Sequence, residues 1–246
     1  MITTAFVLAA GKGERLRPLT EKTPKPLLPI RGRPILDYIF EELQEAGIQR
    51  IVVNAWYLKE QILKYCVNYA DKNYVNSSGV EKKFEILVSE ENELLGTGGG
   101  LKKALPLIGS APFLMLNGDC LWKGSLKGLL KSKPNTLHEG EWVLRPHEPD
   151  QTLIGVHQGE VSQIGKLWKS DKPNQSEGCF SGIQIFNRIY PRELPDVGCI
   201  IRQYWIPRFQ NAARLKAREG VLDLWEDLGT ADRLAKVEKD PRFFIA

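Results

Sequence analysis

The sequence has no run of about 18 apolar residues, the length a helix needs to cross a bilayer, so no membrane association is expected. Its apolar start, MITTAFVLAAGKG, carries no basic residue ahead of the hydrophobic stretch and does not read as a secretory leader. Cysteine is scarce: Cys66, Cys120, Cys179 and Cys199 are scattered without a C-x-x-C pair. That spacing argues against a disulfide-stapled fold and for reduced thiols in a cytoplasmic protein. His138, His147 and His157, the only histidines, show no metal-ligand spacing. Charge of one sign is also missing. With 34 basic and 30 acidic residues the net charge is +4, too balanced for a nucleic-acid footprint and better suited to small anionic ligands. No repeat, heptad or low-complexity linker interrupts the chain, so one body is expected.

A length of 246 residues with 42% hydrophobic content is enough to bury a full core. Thr4 to Ala9 reads as a buried strand. Pro34 opens a helix whose apolar residues Ile35, Leu36, Ile39, Phe40 and Leu43 recur at helical spacing until Gly47 stops it. RIVVN is a second strand, roughly Leu58 to Tyr69 a helix, KFEILV a third strand, GGGLKKAL another helix and PFLMLN a fourth strand. This alternation predicts an α/β fold with a doubly wound, mostly parallel sheet. From about Thr136 the pattern shifts to short strands, TLIGVH, VSQIGKLW and FSGIQIF, separated by turns such as SDKPNQSEG, which predicts a smaller β-rich insertion. Helical patterning returns from Ile200 to Ala217, and VLDLWEDLGTADRLAKVEK closes the chain as strand, turn and helix. The expected organisation is one domain over 1–246, with a core of about 1–135 plus 220–246 and an inserted part at about 136–219.

The first loop carries the densest chemistry. In LAAGKGERLRPLTEKTPKPL, Gly11 and Gly13 let the backbone bend so that successive amides form an anion-binding nest. Pro18, Pro24 and Pro26 stiffen a segment bearing Arg15, Arg17, Lys22 and Lys25, so charge is held in place at reduced entropic cost. This pattern points to a polyphosphate, with an ordinary glycine turn as the plain alternative. There is no G-x-x-x-x-G-K-[ST], which excludes a Walker loop, and GKGERL has leucine where the dinucleotide fingerprint needs its third glycine, which excludes a nicotinamide oxidoreductase.

Three further segments read two ways. ENELLGTGGGLKKAL sets Thr97 and Gly98 at a helix N-terminus that suits a ligand or, equally, close helix–sheet packing. FLMLNGDCLW ends an apolar strand on Asn117, Gly118 and Asp119, at the carboxyl edge where open α/β sheets bind ligands, although Asn-Gly also marks a hairpin. In LWEDLGTADRL, Asp227 is a metal-ligand candidate or shapes a helix entry with Thr230 as N-cap. Two carboxylates from distant strands meeting in one cleft would suit Mg²⁺ with phosphates completing its shell.

LAAGKGERLRPLT followed by TPKPLLPI resembles the opening motif of the sugar-1-phosphate nucleotidylyltransferases. The resemblance spans nearly the whole chain and is firmest at 4–30, 94–120 and 224–235. It implies a Rossmann-like nucleotidyltransferase (GT-A) fold whose β-rich insertion binds the acceptor, and a Mg²⁺-dependent transfer of a nucleotidyl group from a nucleoside triphosphate to a sugar 1-phosphate. It implies further that Arg15 contacts the outer phosphates and Lys25 the α-phosphate region. Ala9, Ala10, Gly11 and Gly13 would wrap the nucleotide, with Thr97 and Gly98 against the base and Glu91 and Asn54 at the same rim. Asp119 and Asp227 would hold the metal. Asn117, Lys172, Ser181 and Gly182 would serve the sugar phosphate, Lys172 through the SDKP turn. LGTGGGLKKALPLIGSAPFLMLNGDCLW looks most like the compact bacterial enzymes similar to N-acetylmuramate 1-phosphate uridylyltransferase, which favours UTP. The hexapeptide repeats of some relatives are absent, and the SDKP turn resembles the broader sugar-nucleotide enzymes, so GTP-dependent heptose or mannose 1-phosphate enzymes and CTP-dependent relatives stay open. A non-catalytic sugar-nucleotide-binding subunit is the alternative of another class. Subunit number is not legible.

Overall fold

A computed structural model describes residues 1–70, 85–131 and 137–244, with the backbone of 74–75 and 81–82. The first half runs β1 (Thr4–Leu8), the small hairpin β2 (Pro29–Ile30) and β3 (Arg33–Pro34), α1 (Ile35–Glu45), β4 (Arg50–Ala55), α2 (Lys59–Ala70), the pair β5 (Tyr74–Val75) and β6 (Glu81–Lys82), β7 (Glu85–Glu90), α3 (Gly96–Ile108) and β8 (Phe113–Asn117). Then come β9 (Cys120–Gly124), α4 (Leu126–Lys131), β10 (Gly140–Pro146), β11 (Leu153–His157), β12 (Glu160–Ile164), β13 (Trp168–Lys169) and β14 (Ser176–Phe186). A π-helical turn, Ile201–Trp205, runs into α5 (Ile206–Gln210), followed by β15 (Leu215–Arg218), β16 (Leu222–Asp227) and α6 (Ala231–Lys239). The expected third strand starts at Lys83, and residues 83–84 lie outside those described, as does the expected boundary at Thr136.

The strand–helix alternation of the first half produces parallel pairing in the order β8-β1-β4-β7. Their central residues, such as Ala5–Val7, Ile51–Val53, Ile86–Val88 and Phe113–Leu116, form continuous apolar runs instead of alternating with polar residues, as expected of parallel strands covered on both faces. Period-two geometry still sorts their side chains: Ala5 and Val7 join one core cluster while Phe6 joins the other, and Leu114 and Leu116 part from Met115 in the same way. Gly47, at φ +96°, takes the left-handed position that ends α1, where a side chain would be strained.

The second half is β-rich, as expected, and is joined to the parallel strands in one sheet. β14 pairs antiparallel with β8, and β11, β12, β10 and β15 extend the same sheet beyond it, so the sheet as a whole is mixed and the β-rich part is continuous with the first half. Helix ends earlier than the Ile200–Ala217 pattern predicts: α5 stops at Gln210, and Ala217 lies in β15, parallel to β10. A separate two-stranded ribbon, β9 with β16, brings Asp227 opposite Cys120. The chain leaves β1 toward β4 on one side and β8 pairs with it on the other, so the carboxyl ends of β1 and β8 form a switch point, where Leu8 faces Asn117.

Candidate active site

At the end of β1 the chain bends away through Ala9, Ala10 and Gly11. A Cβ on Gly11 would meet nothing within 4 Å, so the bend opens on free space. Gly13 sits at φ +63°, and a Cβ there would come within 2.8 Å of the Thr20 methyl. Fully buried Thr20 donates from its hydroxyl to the Gly13 carbonyl at 2.8 Å, which locks the loop against the following turns. Leu16 is buried as a peg while its neighbour Arg15 stays exposed. Lys25, between Pro24 and Pro26, is 7% exposed, and its Nζ lies 2.5 Å from Asp119 Oδ2.

The bend is fixed from behind. Asn54 at the end of β4 accepts the Ala9 amide on Oδ1 at 2.6 Å and donates from Nδ2 to Glu91 Oε1 at 2.7 Å. Glu91 also accepts the Leu95 amide at 3.2 Å. Both polar side chains are almost fully buried, and such groups hold position because every lost hydrogen bond would strand a buried partner. Gly100 makes room for them: its Cβ would fall 2.8 Å from Glu91 Oε1 and 2.9 Å from Asn54 Nδ2. Asn54 lines the cleft, whereas Glu91 stands behind it.

Two adjoining chambers make up the cleft. One, of about 240 Å³, is lined by the Ala9–Ala10–Gly11 backbone, Asn54, Gly96, Thr97 and Asn117, among others. The second, of about 400 Å³, is lined by Lys12, Gly13, Glu14, Arg15 and Gly229 among others. Gly11, Lys25, Leu94 and Asp119 border both. Leu94, Gly229 and Lys12 were not expected; Leu94 is legible only as an apolar residue left 42% exposed beside the LGT stretch.

The two aspartates converge. Leu228 donates its amide to the Asp119 carbonyl at 2.8 Å, which ties the end of β16 to the start of β9. Cys120 lies beneath both: burial pushes its thiol well above the ordinary range, and the negative charges of Asp119 and Asp227 push the same way. The thiol donates a weak hydrogen bond to Asp119 Oδ1 at 3.6 Å. Arg233 Nη1 donates to Asp227 Oδ2 at 2.9 Å, while Asp227 Oδ1 is buried and has no hydrogen-bond partner among the described residues. A Cβ on Gly229 would come within 2.6 Å of that oxygen and 2.7 Å of Arg15 Nη2, so carboxylate and guanidinium flank the same bare backbone. Among the described residues no group of three or more His, Cys, Asp and Glu side chains is arranged to hold a metal. Two carboxylates with an unpaired buried oxygen suit a hard cation that completes its shell with phosphate and water oxygens.

Other expected site residues fall elsewhere. Gly98 donates its amide to the Gly198 carbonyl at 2.8 Å. One orphan donor of the α3 N-terminus is thus met by a strap of residues 194–200. The Thr97 hydroxyl accepts the Ile200 amide at 2.9 Å, so Thr97 borders the cleft while anchoring that strap. Ser181 is fully buried, its hydroxyl donating to the Val143 carbonyl at 2.7 Å, which turns it away from the cleft. Gly182, at φ +84°, backs Asn117: its Cβ would lie 2.7 Å from Asn117 Nδ2. Lys172 is exposed and borders a different depression, with His157, Trp168 and Arg214; it does not line the cleft.

Known proteins are similar to this chain in sequence and fold. Residues 4–242 match the nucleotidyl transferase family. The chain is 30% identical to N-acetylmuramate alpha-1-phosphate uridylyltransferase of Neisseria meningitidis serogroup B, over 95% of this chain and 96% of that one. It is 30% identical to the mannose-1-phosphate guanylyltransferase catalytic subunit beta of Drosophila melanogaster, over 92% of this chain but 59% of the relative. Among solved structures, HddC from Yersinia pseudotuberculosis superposes with a TM-score of 0.72 at 22% identity, covering 97% of this chain and 99% of that one. The UTP-bound UGPase from Acinetobacter baumannii gives 0.77 at 19% identity, covering 97% and 92%.

Proposed function

Since the chain belongs to the nucleotidyl transferase family and is a sugar-1-phosphate nucleotidylyltransferase, we propose that it uses UTP and an N-acetylmuramic-acid-type sugar 1-phosphate to make a nucleotide sugar and pyrophosphate. The full-length relative from Neisseria supports that choice of base and acceptor. The observation that carries the chemistry is that Arg15, Lys25 and Asp119 border chambers opening from the bend at Gly11, with Asp227 set against Arg15 at Gly229.

In this reading the nucleoside end lies in the chamber of Ala9, Ala10, Asn54 and Thr97, and the triphosphate follows the backbone from Gly11 to Gly13. An acceptor phosphate oxygen attacks the α-phosphorus in line and pyrophosphate departs toward Arg15. A phosphate monoester has its second pKa near 6, so the nucleophile is already ionised and the site needs no general base. Lys25 holds positive charge at the α-phosphate and Arg15 meets the charge growing on the leaving group. Asp119 and Asp227 would hold Mg²⁺, which when bound neutralises phosphate charge. Asn117, steadied by Gly182, faces the acceptor. The nucleotide-binding part is then about 1–135 with 220–246, and the acceptor-binding part about 136–219. Four free cysteines fit a cytoplasmic place of action.

Pyrophosphate release with each of the four nucleoside triphosphates, against a panel of sugar 1-phosphates and with Mg²⁺, tests the proposal. UTP with a muramic-acid-type acceptor is expected to give the highest kcat/KM. A preference for GTP with mannose or heptose 1-phosphate would overturn the assignment of base and sugar while leaving the reaction class.

A further inference from the structure

We infer that Arg233 is a positioning residue that turns Asp227 Oδ1 toward Gly229, which lines the second chamber, an inference that rests on the reading of Asp227 as a metal ligand. Arg233 is in the first turn of α6 and, like Asp227 itself, does not line either chamber. Its Nη1 donates to Asp227 Oδ2 at 2.9 Å and lies 3.5 Å from Glu226 Oε1. Glu226, 7% exposed, is in turn gripped by Lys236, the next residue of the same helical face. The helix itself is fixed at its start by Thr230, whose hydroxyl accepts the Arg233 amide at 3.4 Å.

This chain of contacts has a specific result. A carboxylate turns easily about its last torsion, which is broad and roughly two-fold. With Oδ2 held by a guanidinium that Glu226 also restrains, only Oδ1 is left, and it is the buried oxygen that lacks a partner beside Gly229 and Arg15. Asp119 is arranged in parallel: Lys25 holds its Oδ2 and, among the described residues, only the Cys120 thiol hydrogen-bonds its Oδ1. Each carboxylate therefore carries one cation and offers one oxygen. A cation near a metal ligand also repels a metal, so aim and repulsion act in opposite directions on metal affinity. Glu226 is buried, while the Arg233 and Asp227 side chains stay 28% and 25% exposed, so solvent screens the repulsion and the shared hydrogen bonds favour aim; partners of this kind typically alter metal affinity or activity by about 10- to 100-fold when removed.

The test measures Mn²⁺ binding to the full chain by water-proton relaxation, together with the Mg²⁺ concentration that half-saturates turnover, in R233A, R233K, D227N and the R233A/D227N double variant. The inference expects R233A to weaken both by about tenfold or more. It expects R233K, which can supply the single donor that Nη1 now supplies, to recover most of the loss, and the double variant to be no worse than D227N. Equal or tighter metal binding in R233A, or full additivity in the double variant, would overturn it. Unchanged metal dependence in D227N would instead remove the metal reading of Asp227, and this inference with it. Thermal melting of each variant separates loss of aim from loss of fold, and R233Q serves where R233A does not fold.

Discussion

Arg15 and Gly229 divide the work at the cleft's outer end, one by charge and the other by having no side chain. Arg15 is exposed and makes no described ion pair, so its guanidinium is available to an anion without first giving up a partner. Its neighbour Leu16 anchors the turn, which lets Arg15→Ala remove charge while leaving the fold in place. By analogy with cations that stabilise other phosphoryl transfers, the loss in kcat is expected to be on the order of 10³ to 10⁵. Steady-state pyrophosphate release checks this, and a loss under tenfold would remove Arg15 from the leaving-group role. Gly229→Ala tests the geometry between charges. The new methyl would push against the exposed end of Arg15, which can swing aside, and against the carboxylate of Asp227, which must give against its Arg233 pairing, so melting temperature should fall only modestly. A displacement approaching 1 Å at reacting groups costs about 10²-fold, and that is the fall in kcat/KM expected.

At the level of elements, α3 shows why one pattern of glycines can serve two ends. A Cβ on Gly99 would lie 2.2 Å from the Asp196 carbonyl oxygen, and one on Gly98 2.6 Å from Pro195. Alanine normally strengthens a helix, but here the obstacle is backbone of the strap and cannot rotate away. Gly99→Ala should therefore destabilise the chain by roughly 1 to 3 kcal/mol, read as a lower urea midpoint, whereas Gly11→Ala, facing open space, should leave the midpoint in place. The LGTGGG segment was legible as a close approach, but not what approached, because a contact over about one hundred residues leaves no local pattern. The same limit hid β15. Its Leu215 and Ala217 are buried and Lys216 and Arg218 are not, a two-residue alternation too short to stand out after a helix-patterned run. By contrast β1, α1, β4, α3 and β8 were readable from apolar period and caps; Arg15 and Lys25 stood in the long opening motif, whereas Asp119 and Asp227 each read two ways and were paired only by the family resemblance. Ser181 was misplaced because its strand could be read but the face it turned to the core could not.

Over the whole molecule, β14 decides whether the halves behave as one. This eleven-residue strand pairs with β8 of the parallel core and with β10 and β11 beyond it, so the outer strands reach the core chiefly through it. Gln184, near its C-terminal end, is 2% exposed, and its Oε1 accepts from the indole nitrogens of Trp142 at 3.1 Å and Trp205 at 2.9 Å. Replacing it by leucine keeps the volume but strands two buried donors, which costs roughly 2 to 6 kcal/mol at 1 to 3 kcal/mol each. If the sheet is one cooperative unit, Gln184→Leu should lower the urea midpoint for every probe together. Far-UV circular dichroism follows the backbone of both halves, and tryptophan fluorescence follows Trp142 and Trp205 in one core cluster as well as Trp122 in the other. Coincident curves before and after the substitution are the expected outcome. An early fluorescence change with the dichroism of the parallel core retained would mean that the β-rich side unfolds by itself, and that β14 joins two separable units.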